Sequence, residues 1–443
     1  MSGAGAFVTA TETASSGKAH AVEKKVNHGA NRDQPAVLLS RTTMNQNARH
    51  ALRSLVEQNM LAEFWTTFVW HPESRWSRLL PGRWQAQLAR RSVPEAPREQ
   101  VRSDPWRVVV QLGARGTPVE SLLCSDERPF SVYGMGAHFD RRVARRMREL
   151  RPGMVYAYDG AALETLREAK RLGITAVYEL TSSYWRWEQK LFAEEAERNP
   201  EFAGLLPGLT DPARHLERKT QELQLADYVV VPSLHVRETL RGFVADEKIR
   251  VINYGAPPVR GRKQVAHTPG RPLQVLFAGS LIQRKGISYV LEAVEMLGRQ
   301  VELTMVGSRF RANAKVDEAC RRWRWFETLP HSRVLEVMQD ADVLLLPSLA
   351  EGCALVILEA LSIGLPVIVT LNTGSGEIMQ DGREGYVVPI RRADLIASCL
   401  ETLCRDRELL AEMSRQAQAT AARNSWEHYR AQWAGMLRNL AWR

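Results

Sequence analysis

The sequence predicts an α/β protein made of two doubly wound domains, each built around a parallel sheet. With 443 residues, the chain is longer than a single average core requires, so two domains are expected. Short apolar runs alternate with helical patterns in both halves, as they do in consecutive β-α units. Between the halves, residues 256–271 are rich in Pro, Gly and basic side chains and lack periodicity, which predicts a linker.

The first half opens with residues 1–34, which show no apolar periodicity and which we predict to be a disordered tail. A domain over residues 35–255 follows. Its apolar runs predict strands at 36–40, 108–112, 154–158, 175–180, 226–233 and 248–255. Its helical patterns predict helices at 48–59 and 140–150, a helix ending at 171, and a long charged helical region that ends near 224.

The second half repeats the alternation in a domain over residues 272–424. Its patterns predict strands at 273–277, 301–306, 343–346, 366–370 and 386–388, and a helix at 287–297. An aromatic-rich helix at 426–442 lies beyond the natural end of this domain. Since parallel sheets bind ligands at the carboxyl ends of their strands, we expect a ligand cleft where the two domains face each other.

Composition narrows the class of protein. Hydrophobic residues make up 44% and charged residues 25%, as in globular proteins. No apolar segment approaches the roughly 18 residues that span a bilayer, and the N-terminus lacks a signal-peptide layout. The five cysteines include no C-x-x-C pair, so neither a disulfide framework nor a zinc site is indicated. We expect a cytoplasmic protein.

The positive charge is concentrated near the N-terminus. The net charge is +10, and residues 36–150 contain 18 arginines, no lysine and 11 acidic residues. Such a surface attracts nucleic acid, anionic lipid or a phosphorylated substrate, although a merely solvated basic face is an equal alternative. Within 71–107, Trp76, Trp84 and Trp106 are interleaved with eight arginines, which suits a peripheral membrane contact or a docking surface. A helical hairpin with inward-packed tryptophans is the alternative that we favour.

Two motifs in the second half carry charged residues at strand ends. At 277–286, a strand ends at Gly279-Ser280, a loop carries Arg284-Lys285, and a further glycine opens a helix. The glycine permits close approach of a ligand and the lysine suits a diphosphate, whereas a plain β-α turn is the alternative. At 341–361, a buried strand stops at a Pro-Ser pair, a loop holds Glu351-Gly352, and an apolar helix carries Glu359.

The second motif is the more specific one. Two glutamates eight residues apart are a weak signal alone, but a strand, a loop and a helix N-terminus form the usual setting for an anionic ligand. Backbone amides would hold phosphate there, and the carboxylates would hold sugar hydroxyls. Residues 373–378 and the turn at 381–385 follow the next strand with further small residues.

Taken together, residues 277–388 resemble the family-4 retaining glycosyltransferases, also called glycosyl transferases group 1. They contain, in the family's order and spacing, a Gly-x-Leu…Lys-Gly loop, a Pro-Ser…Glu-Gly…Glu-Ala motif, a Gly…Glu-Ile loop and an Asp-Gly…Gly turn. In the first half the resemblance rests on 226–233 and 252–255.

The resemblance implies a GT-B fold, in which two Rossmann-like domains face each other across a cleft. The first domain would bind the acceptor, the second the nucleotide-sugar donor, and the helix at 425–443 would cross back onto the first domain. It also implies a hexosyltransferase of polysaccharide or cell-envelope biosynthesis that retains anomeric configuration and needs no metal or other cofactor. The acceptor would be a glycan, a lipid-linked sugar or a small molecule. A peripheral contact with an anionic membrane stays open, and nucleic acid is not an expected partner.

Residue roles also follow from the resemblance. Lys285 and Glu351 would be the catalytic residues: Lys285 neutralises the departing diphosphate, and Glu351 holds the transferred sugar. Glu359 would bind the ribose hydroxyls. The remaining members of the predicted donor site are Gly279, Ser280, Arg284, Gly307, Leu329, Pro330, His331, Gly352, Cys353, Ala354 and Leu355. Since the nucleotide is already a good leaving group, stabilisation of its charge is the main catalytic contribution, and the two carboxylates recognise the donor rather than act as an acid-base pair.

The chain departs from the family pattern in three places. Ser280 stands where the family often has Arg, the loop at 41–47 replaces a glycine-rich loop, and the family's first-domain histidine has no clear counterpart near Tyr158-Asp159 or Tyr178-Glu179. A catalytically degenerate GT-B scaffold or partner protein is therefore the alternative. A dinucleotide oxidoreductase is not favoured, because the G-x-G sequences at 134–136 and 374–376 lack the third glycine. No nucleic-acid-reading module is recognisable.

Overall fold

Two parallel sheets organise the molecule. The computed structural model describes residues 36–74, 82–114, 117, 123, 128–209, 211–261 and 270–441. The seven-stranded sheet has the order β3-β2-β1-β4-β5-β6-β7, and the six-stranded sheet has the order β10-β9-β8-β11-β12-β13. The strands are Val37–Ser40, Leu61–Thr66, Val101–Ser103, Met154–Tyr158, Thr175–Glu179, Tyr228–Val231 and Ile249–Val251 for β1 to β7, and Leu273–Ala278, Val301–Val306, Arg324–Phe326, Val343–Leu346, Val367–Thr370 and Gly385–Val388 for β8 to β13.

Helices connect the strands in both halves. In chain order, the described helices α1 to α15 are Gln46–Glu57, Gly82–Ala89, Trp106–Ala114, Val132–Leu150, Leu163–Leu172, Trp185–Arg198, Ala213–Leu225, Leu234–Thr239, Ile287–Leu297, Ala314–Arg322, His331–Asp340, Leu355–Ser362, Ala393–Arg405, Arg407–Arg423 and Trp426–Ala441. None of these helices combines the length and apolarity needed to cross a membrane.

Each sheet is wound in two directions from its first strand. The chain starts at β1 and at β8, moves outward on one side, and returns to pair β4 with β1 and β11 with β8. The point where the winding direction changes leaves a crevice at the carboxyl ends of these strands, where doubly wound proteins bind ligands. The central strands are mostly apolar, and all four residues of β11 are apolar and buried, so the polar residues that follow β11 are presented at the sheet edge.

The last helix, α15, packs on the first domain rather than on the second. Trp433 is fully buried and its Nε1 donates to the hydroxyl of Tyr156 at 3.1 Å. Trp426 stacks on His50 of α1 with ring centroids 4.1 Å apart. A buried tryptophan of this kind contributes a large apolar area. The predicted GT-B architecture, including the helix that crosses back, is confirmed.

One predicted strand is wrong. Residues 108–112 are not a strand but lie within helix α3, Trp106–Ala114. Pro105 precedes the helix and its carbonyl accepts the amide of Val109 at 3.0 Å, a position where proline favours helix initiation. Val109 and Val110 are exposed, so the β-branched run does not mark a buried strand. Conversely, β2 was not predicted, because Glu63 interrupts its apolar pattern, and Glu63 is buried against Arg146.

The inward packing that we favoured for the three tryptophans is wrong for Trp106, which is 47% exposed. Trp76 and the side chain of Trp84 lie outside the described part of the chain. The same holds for the predicted disordered tail at 1–34 and for residues 262–269 of the predicted linker. The domain boundaries at 255–256, 271–272 and 424–425 stay predictions.

Candidate functional site

Two loops meet at the carboxyl ends of the neighbouring strands β8 and β11. The first loop continues from β8 through Gly279 to a short 3-10 turn, Gln283–Lys285. The second continues from β11 through Pro347 to Gly352. Gly286 has a left-handed φ of 74°, and a Cβ atom there would lie 2.2 Å from the carbonyl oxygen of Pro347. Only glycine therefore allows these two loops to touch.

Three charged residues are brought together where the loops meet. The Nζ atom of Lys285 donates to Oε1 of Glu351 at 2.7 Å, and Nη1 of Arg284 lies 3.2 Å from Oε2 of the same carboxylate. Burial favours the neutral form of Glu351, but the charges of Lys285 and Arg284 outweigh it and lower the pKa of Glu351 below its ordinary value. The carboxylate is thus ionised at neutral pH and able to accept hydrogen bonds from hydroxyl groups.

Close contacts between glycines hold the loop at 279–286 in shape. A Cβ atom at Gly279 would lie 2.7 Å from Cδ of Lys285, and one at Gly307 would lie 1.9 Å from the carbonyl oxygen of Gly279. Nε1 of Trp325 donates to the carbonyl oxygen of Gly307 at 3.0 Å. Gly307 is therefore placed where it supports the loop that carries Lys285.

Glu359 lies eight residues after Glu351, on helix α12. Burial raises its pKa to about 7, and its Oε1 is 3.7 Å from Nε2 of His331, the first residue of α11. Leu329 and Pro330 immediately precede that histidine. Glu359 and His331, both assigned to the donor site by the resemblance, are thus neighbours in the structure.

The backbone amides at the start of α12 are only partly free for a ligand. The amide of Ala354 donates to the carbonyl of Thr373 at 3.1 Å, so it is committed to the loop that follows β12. The amide of Glu351 is likewise committed, to Asn372 at 2.9 Å. The predicted contributions of Gly352, Cys353 and Leu355 stay predictions. Burial raises the pKa of the Cys353 thiol to about 12, so this side chain is neutral.

The first domain contacts the loop of Glu351 directly. A Cβ atom on Gly352 would lie 1.8 Å from the carbonyl oxygen of Thr181, which follows β5. The hydroxyl of Ser233 donates to the carbonyl of Gly352 at 2.7 Å, and that of Ser183 donates to the carbonyl of Glu351 at 3.4 Å. Gly352 is therefore required by an interdomain contact.

Two residues that the sequence analysis missed lie beside this contact. His235 Nε2 is 3.0 Å from the hydroxyl of Ser183, and burial lowers its pKa to about 4. Glu188, on α6, lines a small polar pocket with Asp159 and Lys219, and burial raises its pKa to about 7. Their positions in the sequence could have indicated them. His235 follows a strand ending in Pro-Ser, and Glu188 follows the polar loop after β5.

The unusual first-domain loops form an internal network. Glu179 is buried and accepts hydrogen bonds from Tyr156 at 2.6 Å and from both Asn47 and Tyr254 at 3.0 Å. Burial raises its pKa. Arg41 lies over the ring of Tyr158, with its Cζ 4.0 Å from the centroid. In the place of a glycine-rich loop, residues 41–47 therefore contribute side chains that hold β1, β4 and β5 together, and Glu179 is a structural carboxylate.

Comparison with known proteins decides the class of the second domain. Residues 261–420 match the profile of the family described as glycosyl transferases group 1. These residues are therefore similar to that family. All of the predicted donor-site residues, from Gly279 to Glu359, lie within the matched range, which confirms the resemblance inferred from the motifs.

Two curated relatives and one solved structure show how far the likeness extends. The amylovoran biosynthesis glycosyltransferase AmsK of Erwinia amylovora is 28% identical over 170 residues, which are 35% of this chain and 41% of AmsK. The alpha-D-kanosaminyltransferase of Streptomyces kanamyceticus is 26% identical over 358 residues, which are 75% of this chain and 90% of that protein. The chain spans 41% to 48% of the length of the first curated relatives it matches.

Among solved structures, Anabaena HepE in complex with UDP is 15% identical, with a TM-score of 0.59 over 90% of this chain and 98% of HepE. At this identity the likeness concerns the fold, and it extends over both domains. The second domain is thus combined with a first domain in the same overall fold as in HepE.

A buried carboxylate connects the first domain to the loop at 279–286 of the second domain. Glu195 on α6 is fully buried. It accepts hydrogen bonds from Gln283 and Tyr289 at 2.7 Å and from Nε of Arg391 at 2.8 Å. Since Gln283 begins the 3-10 turn that carries Arg284 and Lys285, the position of α6 is coupled to the charged loop. No sequence motif marks this residue.

Proposed function

We propose that this chain is a glycosyltransferase that moves a sugar from a nucleotide-sugar donor to a glycan, lipid-linked or small-molecule acceptor, with retention of anomeric configuration. The observation that carries the proposal is the cluster of Lys285, Arg284 and Glu351 at the junction of β8 and β11 in a group 1 domain. Two cations and one ionised carboxylate are the groups that a diphosphate and a sugar require at adjacent positions.

The ion pairs of this cluster indicate how the donor would bind. A diphosphate placed beside Lys285 would compete with Glu351 for the ammonium group, and the sugar hydroxyls would replace the ammonium as donors to Glu351. The charge of Lys285 is then balanced by the diphosphate, and the carboxylate of Glu351 accepts hydrogen bonds from the sugar instead of from Lys285. As the glycosidic bond breaks, negative charge grows on the diphosphate, and Lys285 and Arg284 stabilise it in a partly buried site where such interactions are strong. In this proposal these cations take the role that a metal has in other transferases.

Glu359 would complete donor recognition. Its carboxyl group lies beside His331 at the start of α11, and a ribose bridging the two would accept and donate hydrogen bonds. Because HepE is described in complex with UDP, UDP-sugars are the first donors to test. Because AmsK is named for amylovoran biosynthesis, a polysaccharide precursor is the first acceptor class to test. A cytoplasmic protein that contacts the membrane peripherally would suit such an acceptor.

The experiment is a panel of UDP-, GDP- and ADP-sugars incubated with the purified chain and with cell extract as a source of acceptor, while nucleotide release is measured. We expect release from one donor class, and the anomeric configuration of the product, read by NMR, to match that of the donor. A chain that binds none of the three nucleoside diphosphates in calorimetry is instead a degenerate GT-B scaffold.

A further inference from the structure

A basic cavity lies on the first domain, between α4, α7 and the start of α5. Its volume is about 610 Å³, within the range of sites for small molecules. Among its described lining residues, arginines outnumber carboxylates. The charged members are Arg107, Arg128, Arg141, Arg214, Arg218 and Glu217.

The positive charge at the floor of the cavity is already balanced by carboxylates of the protein. Arg218 is ion-paired with the buried Asp140 and lies 3.2 Å from Glu222. These two carboxylates accept backbone amides at the start of α5: Asp140 accepts those of residues 164 and 165, and Glu222 accepts that of Ala162 at 2.9 Å. Arg218 and the helix N-terminus are therefore satisfied by the protein itself and need no external anion.

The rim of the cavity is different. Arg107 stacks over Trp106 and Phe130, with its Cζ 4.8 and 5.7 Å from the two ring centroids. Burial and the positive charge of Arg141 lower the pKa of Arg107, so two guanidinium groups repel each other across the opening. In the part of the chain that the structure describes, Arg128 and Arg141 have no ion-pair partner. A bound anion would relieve this repulsion, and arginine forks fit the oxygens of a phosphate.

The cavity adjoins the acceptor side of the cleft. Asp159 lines the small polar pocket of Glu188, and Gly160, the next residue, lines the basic cavity. On α7, Lys219 faces the first pocket and Arg218 the second. A molecule held in the basic cavity could therefore extend past the 159–160 loop towards the loop of Glu351.

We propose that this cavity binds a phosphate or diphosphate group carried by the acceptor. The proposal rests on the proposed function, because it takes the first domain to be the acceptor domain. The rim arginines would hold the charged end of the acceptor and leave its sugar hydroxyl free to enter the cleft. The concentration of arginine in residues 36–150 then has a specific use at Arg107, Arg128 and Arg141, and is not only a solvated basic face.

The test is calorimetric titration of inorganic pyrophosphate into the full chain, with the donor site first saturated with UDP. We expect one pyrophosphate site, and at least a tenfold weaker affinity in Arg141→Glu, since the new carboxylate pairs with Arg107. The control is Arg145→Glu, which makes the same charge change one turn further along α4, outside the cavity lining, and should change the affinity less than twofold. UDP affinity, measured separately, should be the same in all three proteins.

The outcomes separate this proposal from the function on which it rests. No binding of pyrophosphate to UDP-saturated protein, or equal losses in the two variants, overturns the cavity proposal while UDP binding stands. Binding of pyrophosphate without any binding of UDP supports the cavity and overturns the donor assignment. Sedimentation with phosphatidylcholine vesicles containing phosphatidylglycerol identifies the source of the phosphate. Vesicle binding that Arg141→Glu abolishes and Arg145→Glu preserves points to a membrane-held acceptor, and equal binding by both points to a soluble one.

Discussion

The two sides of the cleft are built in different ways. On the proposed donor side, the charged residues Arg284, Lys285 and Glu351 lie on two loops that follow adjacent strands, and glycines fix the spacing of these loops. On the proposed acceptor side, single residues from distant parts of the chain converge, such as Arg41, Glu188 and His235. The proposed donor groups lie in two short motifs, each a strand followed by a loop, and a nucleoside diphosphate is common to the nucleotide-sugar donors that such a site would bind. An acceptor has no such common feature, so the surface that binds it carries no fixed motif.

The largest effect is expected from breaking the donor side. Lys285→Ala removes the cation closest to Glu351 and should lower the rate of nucleotide release from the sugar donor by about 100-fold or more. The measurement is steady-state release with the donor that the panel identifies. Lys315→Ala, which removes an exposed lysine on α10 of the same domain, should stay within twofold of the wild type. A Lys285→Ala enzyme within threefold of the wild type would show that this residue does not stabilise the leaving group.

The second-largest effect is expected from removing Glu195, which connects the two sides. Glu195→Ala leaves Arg391 partly buried without its closest partner and leaves Gln283 and Tyr289 without their acceptor. We expect a loss of about 3–5 kcal/mol in the free energy of unfolding, measured by urea denaturation. The neighbouring Glu194→Ala removes a half-exposed carboxylate that also contacts Arg391, at 3.3 Å, and should cost less than about 1 kcal/mol. Equal losses in the two variants would contradict the role given to Glu195.

The role of Glu359 on the donor side can be tested through the pH dependence of the free energy of unfolding. Because burial raises its pKa from the ordinary value to about 7, the folded protein binds more protons than the unfolded chain between about pH 4.5 and 7. Its contribution to stability is therefore present at low pH and is lost as the pH rises through 7. Glu359→Gln should flatten this part of the curve of unfolding free energy against pH, by on the order of 3 kcal/mol, and weaken UDP binding about tenfold.

The control for Glu359→Gln is Glu336→Gln, at an exposed position on the adjacent helix α11, which should leave both the pH profile and UDP affinity unchanged. If Glu359→Gln keeps the wild-type pH dependence and affinity, the carboxyl group is neither held near neutral pH by the fold nor in contact with the ribose.

The smallest effect is expected on the acceptor side. Tyr254→Phe removes one of three donors to Glu179, and those of Tyr156 and Asn47 remain, so a loss of about 1 kcal/mol in the free energy of unfolding is expected. Tyr228→Phe, on β6, is the matched control and should change it by less. Nucleotide release should stay within threefold in both, because the Glu179 network is structural. A much larger loss of activity than of stability in Tyr254→Phe would instead give Glu179 a direct part in the reaction.

The same contrast explains how much could be predicted from the sequence. The two parallel-sheet domains follow from alternating apolar runs, and Lys285, Glu351 and Glu359 follow from their positions after a buried strand and on the helix it leads to. These are local relations, so they can be recognised without coordinates. The central strands were predicted for the same reason, since burial on both faces makes them mostly apolar.

What could not be predicted depends on contacts between distant parts of the chain. Glu195 is an ordinary helix glutamate until Gln283, 88 residues away, and Arg391 approach it. Glu188 and His235 acquire perturbed pKa values only through burial at the domain contact. The helix at Trp106–Ala114 was mistaken for a strand because its valines suggest a sheet, whereas its solvent-exposed setting and Pro105 decide otherwise. The local pattern there favours a strand, the tertiary environment favours a helix, and the structure follows the environment.

A crystal structure of the chain with UDP tests the central claim most directly. We predict that the diphosphate lies within hydrogen-bonding distance of Lys285 Nζ and Arg284, that the ribose contacts Glu359, and that the 2.7 Å contact between Lys285 and Glu351 is lengthened or shared with the phosphate. UDP bound elsewhere, or bound while both ion pairs of Glu351 stay intact and the diphosphate faces solvent, would contradict the assignment of this cluster as the donor site.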